Sequence, residues 1–202
     1  MKKVDLRKQL KHVYTASAKE AALVEVPKMN FLMVDGAGDP NTAPEFQQAV
    51  EALYGVAFAL KFMLKKRGEA DYTVMGLEGL WWAEDMREFS IEDKGNWKWT
   101  LMIAQPDFVT REHYAEALAQ VRAKKDSPAL AKIRFGAFEE GLCAQVMHLG
   151  PYSEEGPTIT RLHQFIAQSG HKLRGKHHEI YLSHPRRTAP EKMRTILRQG
   201  VR

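Results

Sequence analysis

The pattern of apolar and polar positions along the chain predicts alternating strands and helices. The longest periodic segment follows Thr42 and carries apolar residues at steps of three and four, which predicts a helix of roughly 20 residues ending at Gly68. Thr42–Glu45 has the form of a capping box that would start this helix. A compact apolar run over 29–34 predicts a preceding strand, closed by a glycine-containing turn over 35–40.

Strand patterns and helix patterns continue through the rest of the chain. Strands are predicted over 72–75, 77–85, 97–105, 142–148 and 179–183, with a turn over 93–96. Helices are predicted from Thr110 to about 121, over 127–138 and over 155–168. A second capping box, Thr188–Glu191, predicts a short basic helix at the C-terminal end.

The order strand, turn, helix and further strands occurs twice, over about 29–104 and about 141–184. This order predicts an α+β fold in which two halves form one pseudo-symmetric domain. We place residues 1–202 in a single domain, with halves of about 22–105 and 140–202 linked by a helical segment over 110–135. A cleft between two such halves is a frequent place for a ligand.

Charge and cysteine content narrow the classes of function. The net charge of +5 is modest, the basic residues gather towards both chain ends, and no nucleic-acid reading motif is present, so nucleic-acid binding is not expected. A single cysteine, Cys143, excludes an intrachain disulfide and favours the cytoplasm. The charged N-terminus lacks the apolar stretch of a secretory signal, and no apolar run has the roughly 20 residues that span a bilayer.

Two weak motifs give no cofactor or metal site. Gly36 and Gly38 follow a predicted strand, but the third glycine of a dinucleotide-binding turn is missing and the neighbouring residues are acidic. Histidines near the C-terminal end lack the spacing of a zinc site, and the adjacent His177 and His178 would point to opposite faces of a strand. We therefore predict no metal and no cofactor.

The predicted strand around Glu179 is a candidate functional segment. Side chains alternate along a strand, so Glu179 and Tyr181 share one face while Ile180 and Leu182 share the other. If the first face lines a pocket, desolvation would raise the pKa of Glu179 and make its carboxyl group useful in chemistry. The same pattern also fits a solvated outer face of a strand.

Four tryptophans form a dense aromatic group. Trp81 and Trp82 are adjacent and would point to opposite faces, whereas Trp97 and Trp99 would share a face. Such residues either pack in the core or form the flat walls of a pocket for a planar apolar ligand. Glu78 flanks the pair on the same predicted strand, and the spacing leaves open which tryptophan enters a cleft.

Several segments carry a combined signal, namely 31–40, 77–82, 97–99 with 105–108, 148–152, and 179–187 running into 195–198. Taken together, these segments resemble the GyrI-like small-molecule-binding domain family, in its stand-alone subgroup. The resemblance covers nearly the whole chain, and we expect the stand-alone form, which has no transcription-factor helices in front. It implies a duplicated strand-helix-strand-strand (SHS2-type) domain with a central ligand groove, which agrees with the repeat described above.

The resemblance also implies functions and residues. In ligand-sensing relatives a groove carboxylate receives cationic aromatic drugs, and some stand-alone relatives are similar to hydrolases that open the cyclopropane of DNA-alkylating natural products. On this basis Glu179 is the predicted base that activates water, and no cofactor is required. The remaining predicted site residues are Tyr152 and Tyr181 as hydrogen-bond donors, Trp81 and Trp82 as walls, and Glu78 as a second carboxylate.

Three functions follow from the sequence. The first is a detoxifying hydrolase acting on a hydrophobic aromatic substrate. The second is a non-catalytic protein that sequesters or senses such compounds in the same groove. The third, a protein partner of DNA gyrase, rests only on the family name and gains little from the basic chain ends.

Overall fold

An eight-stranded antiparallel sheet forms the centre of the computed structural model, which describes residues 2–84 and 94–202. Its strands, in chain order, are β2 (Ala22–Val26), β3 (Met29–Ala37), β5 (Glu78–Trp82), β6 (Lys98–Gln105), β7 (Arg134–Phe138), β8 (Gly141–Leu149), β9 (Leu173–Tyr181) and β10 (Arg194–Val201). They lie in the order β2-β8-β10-β9-β5-β6-β3-β7. Two short strands, β1 (Lys2–Val4) and β4 (Ala70–Tyr72), form a separate parallel pair.

Helices cover the sheet in two groups. The helices are α1 (Leu6–Gln9), α2 (Pro44–Lys66), α3 (Arg111–Arg122), α4 (Pro128–Lys132) and α5 (Gly156–Gln168). The long α2 packs on β3 and β6 and carries α3 and α4 on its side, while α5 packs on β8 and β10. No helix in the described parts of the chain is both long and apolar enough to cross a bilayer.

The two halves of the sheet meet where β5 pairs with β9. Gly79 lies opposite Glu179 and Trp81 lies opposite His177 in this antiparallel pair. On one side of the junction the order is β5-β6-β3-β7, and on the other it is β9-β10-β8-β2. Each half of the sheet therefore contains four strands and is covered by one long helix, and the prediction of a mixed α+β fold is confirmed.

The predicted long helix forms, but it begins later than its sequence signal. The helix starts at Pro44 with Ala43 at the N-cap, and no side chain caps it, so the predicted capping box at Thr42–Glu45 is wrong. Asp39 explains the difference, because its Oδ1 accepts the backbone N–H of Asn41 at 2.9 Å and holds 39–42 in a turn. Gly68, with φ of +73°, ends the helix as predicted.

Two segments predicted as helix contain strands. The helix predicted over 127–138 ends at Lys132, and so does the helical link predicted over 110–135. Strand β7 follows, and it pairs with the edge of β3 that β6 does not occupy. The predicted C-terminal basic helix is wrong as well, since only a single helical turn covers Pro190–Lys192 before β10. β10 lies between β8 and β9 and is buried from Thr195 to Val201, so tertiary packing overrides the local capping signal.

The remaining predicted elements differ mainly at their ends. The strand predicted over 72–75 stops at Tyr72, and the strand predicted over 179–183 instead begins at Leu173 and ends at Tyr181. Thr110 caps α3 as predicted, with His113 completing the capping box. Asp85 and Asp93, at the ends of a predicted strand and a predicted turn, lie outside the described residues.

Candidate functional site

A cavity of about 540 Å³ lies between α2 and α5, above the junction of β5 and β9. Its volume suits a small organic ligand. The aromatic and acidic side chains that line it are Phe46, Tyr54, Phe58, Trp81, Trp97, Tyr152, Glu155, Glu179 and Tyr181. The cavity thus combines flat apolar walls with two carboxyl groups.

Trp81 forms the central part of the aromatic wall. Its ring stacks on Phe46 with centroids 5.9 Å apart, and Trp97 is tilted against it at 5.3 Å. Gly79 makes room beneath, because a Cβ atom there would lie 2.7 Å from Trp81 Nε1 and 3.2 Å from the Tyr181 hydroxyl oxygen. The glycine therefore allows both rings to lie directly over the strand backbone.

A short hydrogen-bond chain fixes the predicted catalytic carboxylate. Trp81 Nε1 donates to the Tyr181 hydroxyl at 3.1 Å, and that hydroxyl donates to Glu179 Oε2 at 2.6 Å. Burial and the negative charge of Glu179 raise the pKa of Tyr181 well above its usual value, so its hydroxyl keeps its proton. Because this proton is directed at Glu179, Tyr181 holds the carboxylate in place instead of donating to a ligand.

Glu155 is a cavity residue that the sequence did not reveal. It directly precedes α5, and the residue is only 4% exposed. Burial and then the charge of Glu179 raise the pKa of Glu155 to about 9, so its carboxyl group is protonated at neutral pH. A glutamate just before a helix is usually exposed, as Glu154 is, and the sequence carries no signal that separates the two.

Tyr152 stands at the cavity wall beside the carboxyl pair. Its ring lies edge-on to that of Tyr181, with centroids 5.4 Å apart. Burial, with the nearby charges of Glu155 and Glu179, raises the pKa of Tyr152 to about 12. The hydroxyl is therefore a proton-bearing group at neutral pH, and it lines the cavity.

His177 confirms the predicted alternation along the strand. It lines the cavity on the same face as Glu179, with Nε2 3.4 Å from Glu179 Oε1, while His178 points to the other side of the sheet. Among residues 2–84 and 94–202 no cluster of three His, Cys, Asp or Glu side chains has the arrangement of a metal site.

Glu78, predicted as a second carboxylate of the site, lies on the opposite face of the sheet and does not line the cavity. Its Oε1 accepts from the Tyr14 hydroxyl at 2.9 Å, and its Oε2 lies 3.1 Å from His178 Nε2. Glu155 supplies the second carboxyl group of the cavity in its place.

Glu78 and His178 belong to a larger buried network of ionisable side chains, which also includes Glu140 and Arg198. Glu140 Oε2 lies 2.9 Å from His178 Nδ1 and 3.3 Å from Arg198 Nη1. The charge and hydrogen bond of Glu140 outweigh the desolvation of His178 and raise its pKa to about 9. His178 and Arg198 likewise overcome the burial of Glu140 and lower its pKa to about 2. The network therefore holds charged groups in the core at neutral pH.

The tryptophans divide between cavity and surroundings. Trp81 and Trp97 line the cavity, whereas Trp82, the other predicted wall, lies outside it under the Lys176 ammonium, 3.1 Å from the ring centroid. Trp99 is buried behind the wall, against Phe46 and over Gly36. Of the predicted site residues the structure brings Trp81, Tyr152, Glu179 and Tyr181 together.

Comparison with known proteins confirms the family. Residues 20–199 match the GyrI-like small molecule binding domain, so the chain belongs to this family. An uncharacterized conserved protein from Listeria innocua is 42% identical, with a TM-score of 0.92 over 98% of this chain and 100% of that one. A hydrolase encoded by lin2189 of Listeria innocua is also 42% identical, with a TM-score of 0.89 and 100% of both chains covered. No curated protein matches the sequence.

Proposed function

We propose that this GyrI-like protein binds flat aromatic molecules between α2 and α5 and hydrolyses strained cyclopropane rings in them. The substrates would be DNA-alkylating compounds in which the cyclopropane is conjugated to a dienone, so the reaction would remove a genotoxin. The observation that carries the proposal is the Glu179 carboxylate, held by Tyr181 at 2.6 Å inside an aromatic cavity. The similarity to Listeria proteins described as hydrolases supports a hydrolytic reaction.

Opening of the cyclopropane needs a base that takes a proton from water and a hydrogen-bond donor to the dienone oxygen, which lies several bonds from the attacked carbon. Glu179 would take a proton from water while the water oxygen attacks the ring methylene carbon. The carbon–carbon bond to that methylene breaks, and its electron pair moves through the conjugated ring to the dienone oxygen. That oxygen takes up a proton from solvent water and becomes a phenol, and Glu179 releases its own proton to water, so the compound gains one water in total.

The side chains around Glu179 divide these tasks. Tyr181 directs its proton to Glu179, so it acts as a positioning residue. Tyr152 has a protonated hydroxyl at the cavity wall and is the candidate donor to the developing phenolate oxygen. Trp81 and Trp97 would hold the flat ring system by stacking.

The fold supports a groove between two related units. We infer that β3-α2-β5-β6 and β8-α5-β9-β10 are copies of one strand-helix-strand-strand unit, because their strands occur in mirrored order on the two sides of the β5–β9 junction. The cavity opens above this junction, between the two helices, where a ligand groove of such a pair is expected.

A binding protein without chemistry is the second candidate. A fixed carboxylate among Phe46, Trp81 and Trp97 is also the arrangement that holds a cationic aromatic compound. Such a protein would protect by sequestration, and its ligand would leave unchanged. A role with DNA gyrase stays a prediction from the family name.

Mass spectrometry separates the two candidates. A spirocyclopropyl dienone of the duocarmycin type is incubated with the wild-type protein and with Glu179→Gln in water enriched in ¹⁸O. Product that has gained one labelled water with the wild type alone supports the hydrolase. Unchanged compound that co-elutes with both proteins supports the binding protein, and full turnover by Glu179→Gln overturns the role of the carboxylate.

A further inference from the structure

The two carboxyl groups of the cavity differ in their surroundings. Glu179 receives the Tyr181 hydrogen bond and is 7% exposed. Glu155 is 4% exposed, and its Oε1 has no hydrogen-bond partner among the described residues. The two side chains are close enough to share a hydrogen bond, which adds to the effect of Glu179 on the Glu155 carboxyl group. The cavity therefore holds an acid and a base side by side, with one unused polar atom.

The cyclopropane reaction proposed above assigns no role to Glu155. In a spirocyclopropyl dienone the oxygen that gains the proton lies several bonds from the attacked carbon, so an acid next to the base cannot reach it. A neighbouring acid and base suit an electrophile whose leaving oxygen is bonded to the attacked carbon itself. An epoxide has this arrangement and shares the ring strain of a cyclopropane.

We propose that the Glu155–Glu179 pair opens aryl epoxides to vicinal diols within the same aromatic cavity. Glu179 has the role proposed above, so both reactions depend on its carboxylate. Trp81 and Phe46 would stack on the aryl group, which places the epoxide carbon next to the ring towards the pair. The substrate class is a neutral epoxide that carries at least one flat aromatic ring.

Glu155 and Glu179 together supply and take up the protons that epoxide opening requires. Glu179 takes a proton from water as the water oxygen bonds to one epoxide carbon. The bond between that carbon and the epoxide oxygen breaks, and its electron pair stays on the oxygen, which takes the proton of Glu155. The product is a diol, with Glu179 protonated and Glu155 ionised. Return of the proton from Glu179 to Glu155 restores the starting pair without any further reactant.

The groups that face the pair set its dependence on pH. The facing groups are Thr195 on β10, Tyr181 and His177 on β9, Tyr152 before α5, and the more distant Lys94. The tyrosines keep their protons well above neutral pH, and Lys94 opposes the effect of Glu179 on Glu155. Epoxide opening requires protonated Glu155, so its rate should fall as the pH rises through about 9.

Hydrolysis of trans-stilbene oxide in ¹⁸O-labelled water tests the proposal. The wild-type protein should form the diol with one labelled oxygen. Glu155→Gln keeps the shape of the protonated side chain but cannot give up its proton, so kcat should fall about 100-fold with KM changed less than about threefold. Glu155→Asp, which restores an acid, should recover part of kcat, and Glu154→Gln, at the exposed neighbouring position, should match the wild type.

The cyclopropane compound is assayed in parallel on the same proteins. Glu155→Gln should slow epoxide opening at least tenfold more than cyclopropane opening. The epoxide activity that remains in this variant should no longer fall as the pH rises through 9. Absence of diol with a wild-type protein that opens the cyclopropane overturns the epoxide proposal alone. Diol without cyclopropane opening supports it and overturns the proposed substrate instead. Equal diol formation by the wild type and Glu155→Gln overturns the role of Glu155.

Discussion

The Tyr181 hydroxyl donates a 2.6 Å hydrogen bond to Glu179, two residues earlier on the same face of β9. Trp81, from the neighbouring strand, donates to the same hydroxyl at 3.1 Å. A carboxylate fixed in this way loses little conformational freedom when a ligand or water arrives, so its position is set before binding.

Removing the Tyr181 hydroxyl should release Glu179. We expect Tyr181→Phe to lower kcat for cyclopropane opening by about 10- to 100-fold, because the base then samples unproductive positions. Steady-state kinetics measures this loss. Tyr114→Phe is the matched control, since it removes a hydroxyl that donates to the Ile133 carbonyl at 2.6 Å outside the cavity. Equal losses in both variants would contradict a specific role for Tyr181.

A side chain at position 79 should disrupt the cavity floor. The Cβ atom of Gly79→Ala would lie 2.7 Å from Trp81 Nε1, so the indole must move, at a cost of about 1–3 kcal/mol in the free energy of unfolding. Ligand affinity should fall with it. In the control Gly136→Ala, the Cβ atom would meet only the flexible end of Met33 at 3.4 Å, and the cost should be smaller. Urea denaturation and ligand titration measure both effects, and tolerance of Gly79→Ala would contradict the described packing.

The buried network should make stability depend on pH at both ends of the scale. The folded-state pKa of His178 is raised from 6.5 to about 9, so its contribution is complete below pH 6.5 and is lost as the pH rises through 9. The pKa of Glu140 is lowered from 4.5 to about 2, so its contribution is present above pH 4.5 and is lost as the pH falls through 2. Both contributions are therefore complete only between about pH 4.5 and 6.5.

Substitution of His178 tests this dependence on pH. Removing one member of a buried charge group costs about 3–5 kcal/mol, and His178→Gln should also flatten the loss of stability between pH 6.5 and 9. Urea denaturation across a pH series gives both quantities. An unchanged slope in that range would show that His178 is not the titrating group.

Glu155→Gln should raise stability even as it removes an acid from the cavity. The unfolded chain releases the Glu155 proton above pH 4.5, while the folded protein keeps it up to about pH 9, so this residue lowers the free energy of unfolding progressively between those values. A neutral glutamine removes this cost, and we expect a gain of about 1–3 kcal/mol at pH 8. Glu154→Gln should change stability by less than about 0.5 kcal/mol. A loss of stability in Glu155→Gln at pH 8 would contradict the protonated state.

Sequence patterns predicted correctly those structural features that depend on a single short segment. The alternation along this strand predicted that Glu179 and Tyr181 share a face and that His177 and His178 point to opposite faces, and the apolar periodicity predicted α2. Both features depend on residues close together in the sequence, so the sequence displays them directly. The groove was predicted instead from the repeated order of elements and from the family resemblance.

The errors arose where partners come from distant parts of the chain. The capping box at Thr188–Glu191 predicted a basic helix at the C-terminal end, yet Arg198 is buried in β10, where Glu140 pairs with it. Glu78 was predicted as a second carboxylate of the site, but Tyr14 and His178 hold it on the other face of the sheet. Glu155 is indistinguishable in sequence from exposed Glu154, since only the fold places Glu179 beside it.

The opposed positions of His178 and Glu179 constrain which substitutions this protein can accept. A slip of β9 by one residue would move the histidine into the cavity and the carboxylate into the ionic network, so charge on both faces of the strand fixes its register. The floor of the cavity is consequently difficult to alter by mutation. The helical wall formed by Phe46, Val50 and Phe58 bears no such restraint, and new ligand preferences should evolve there first.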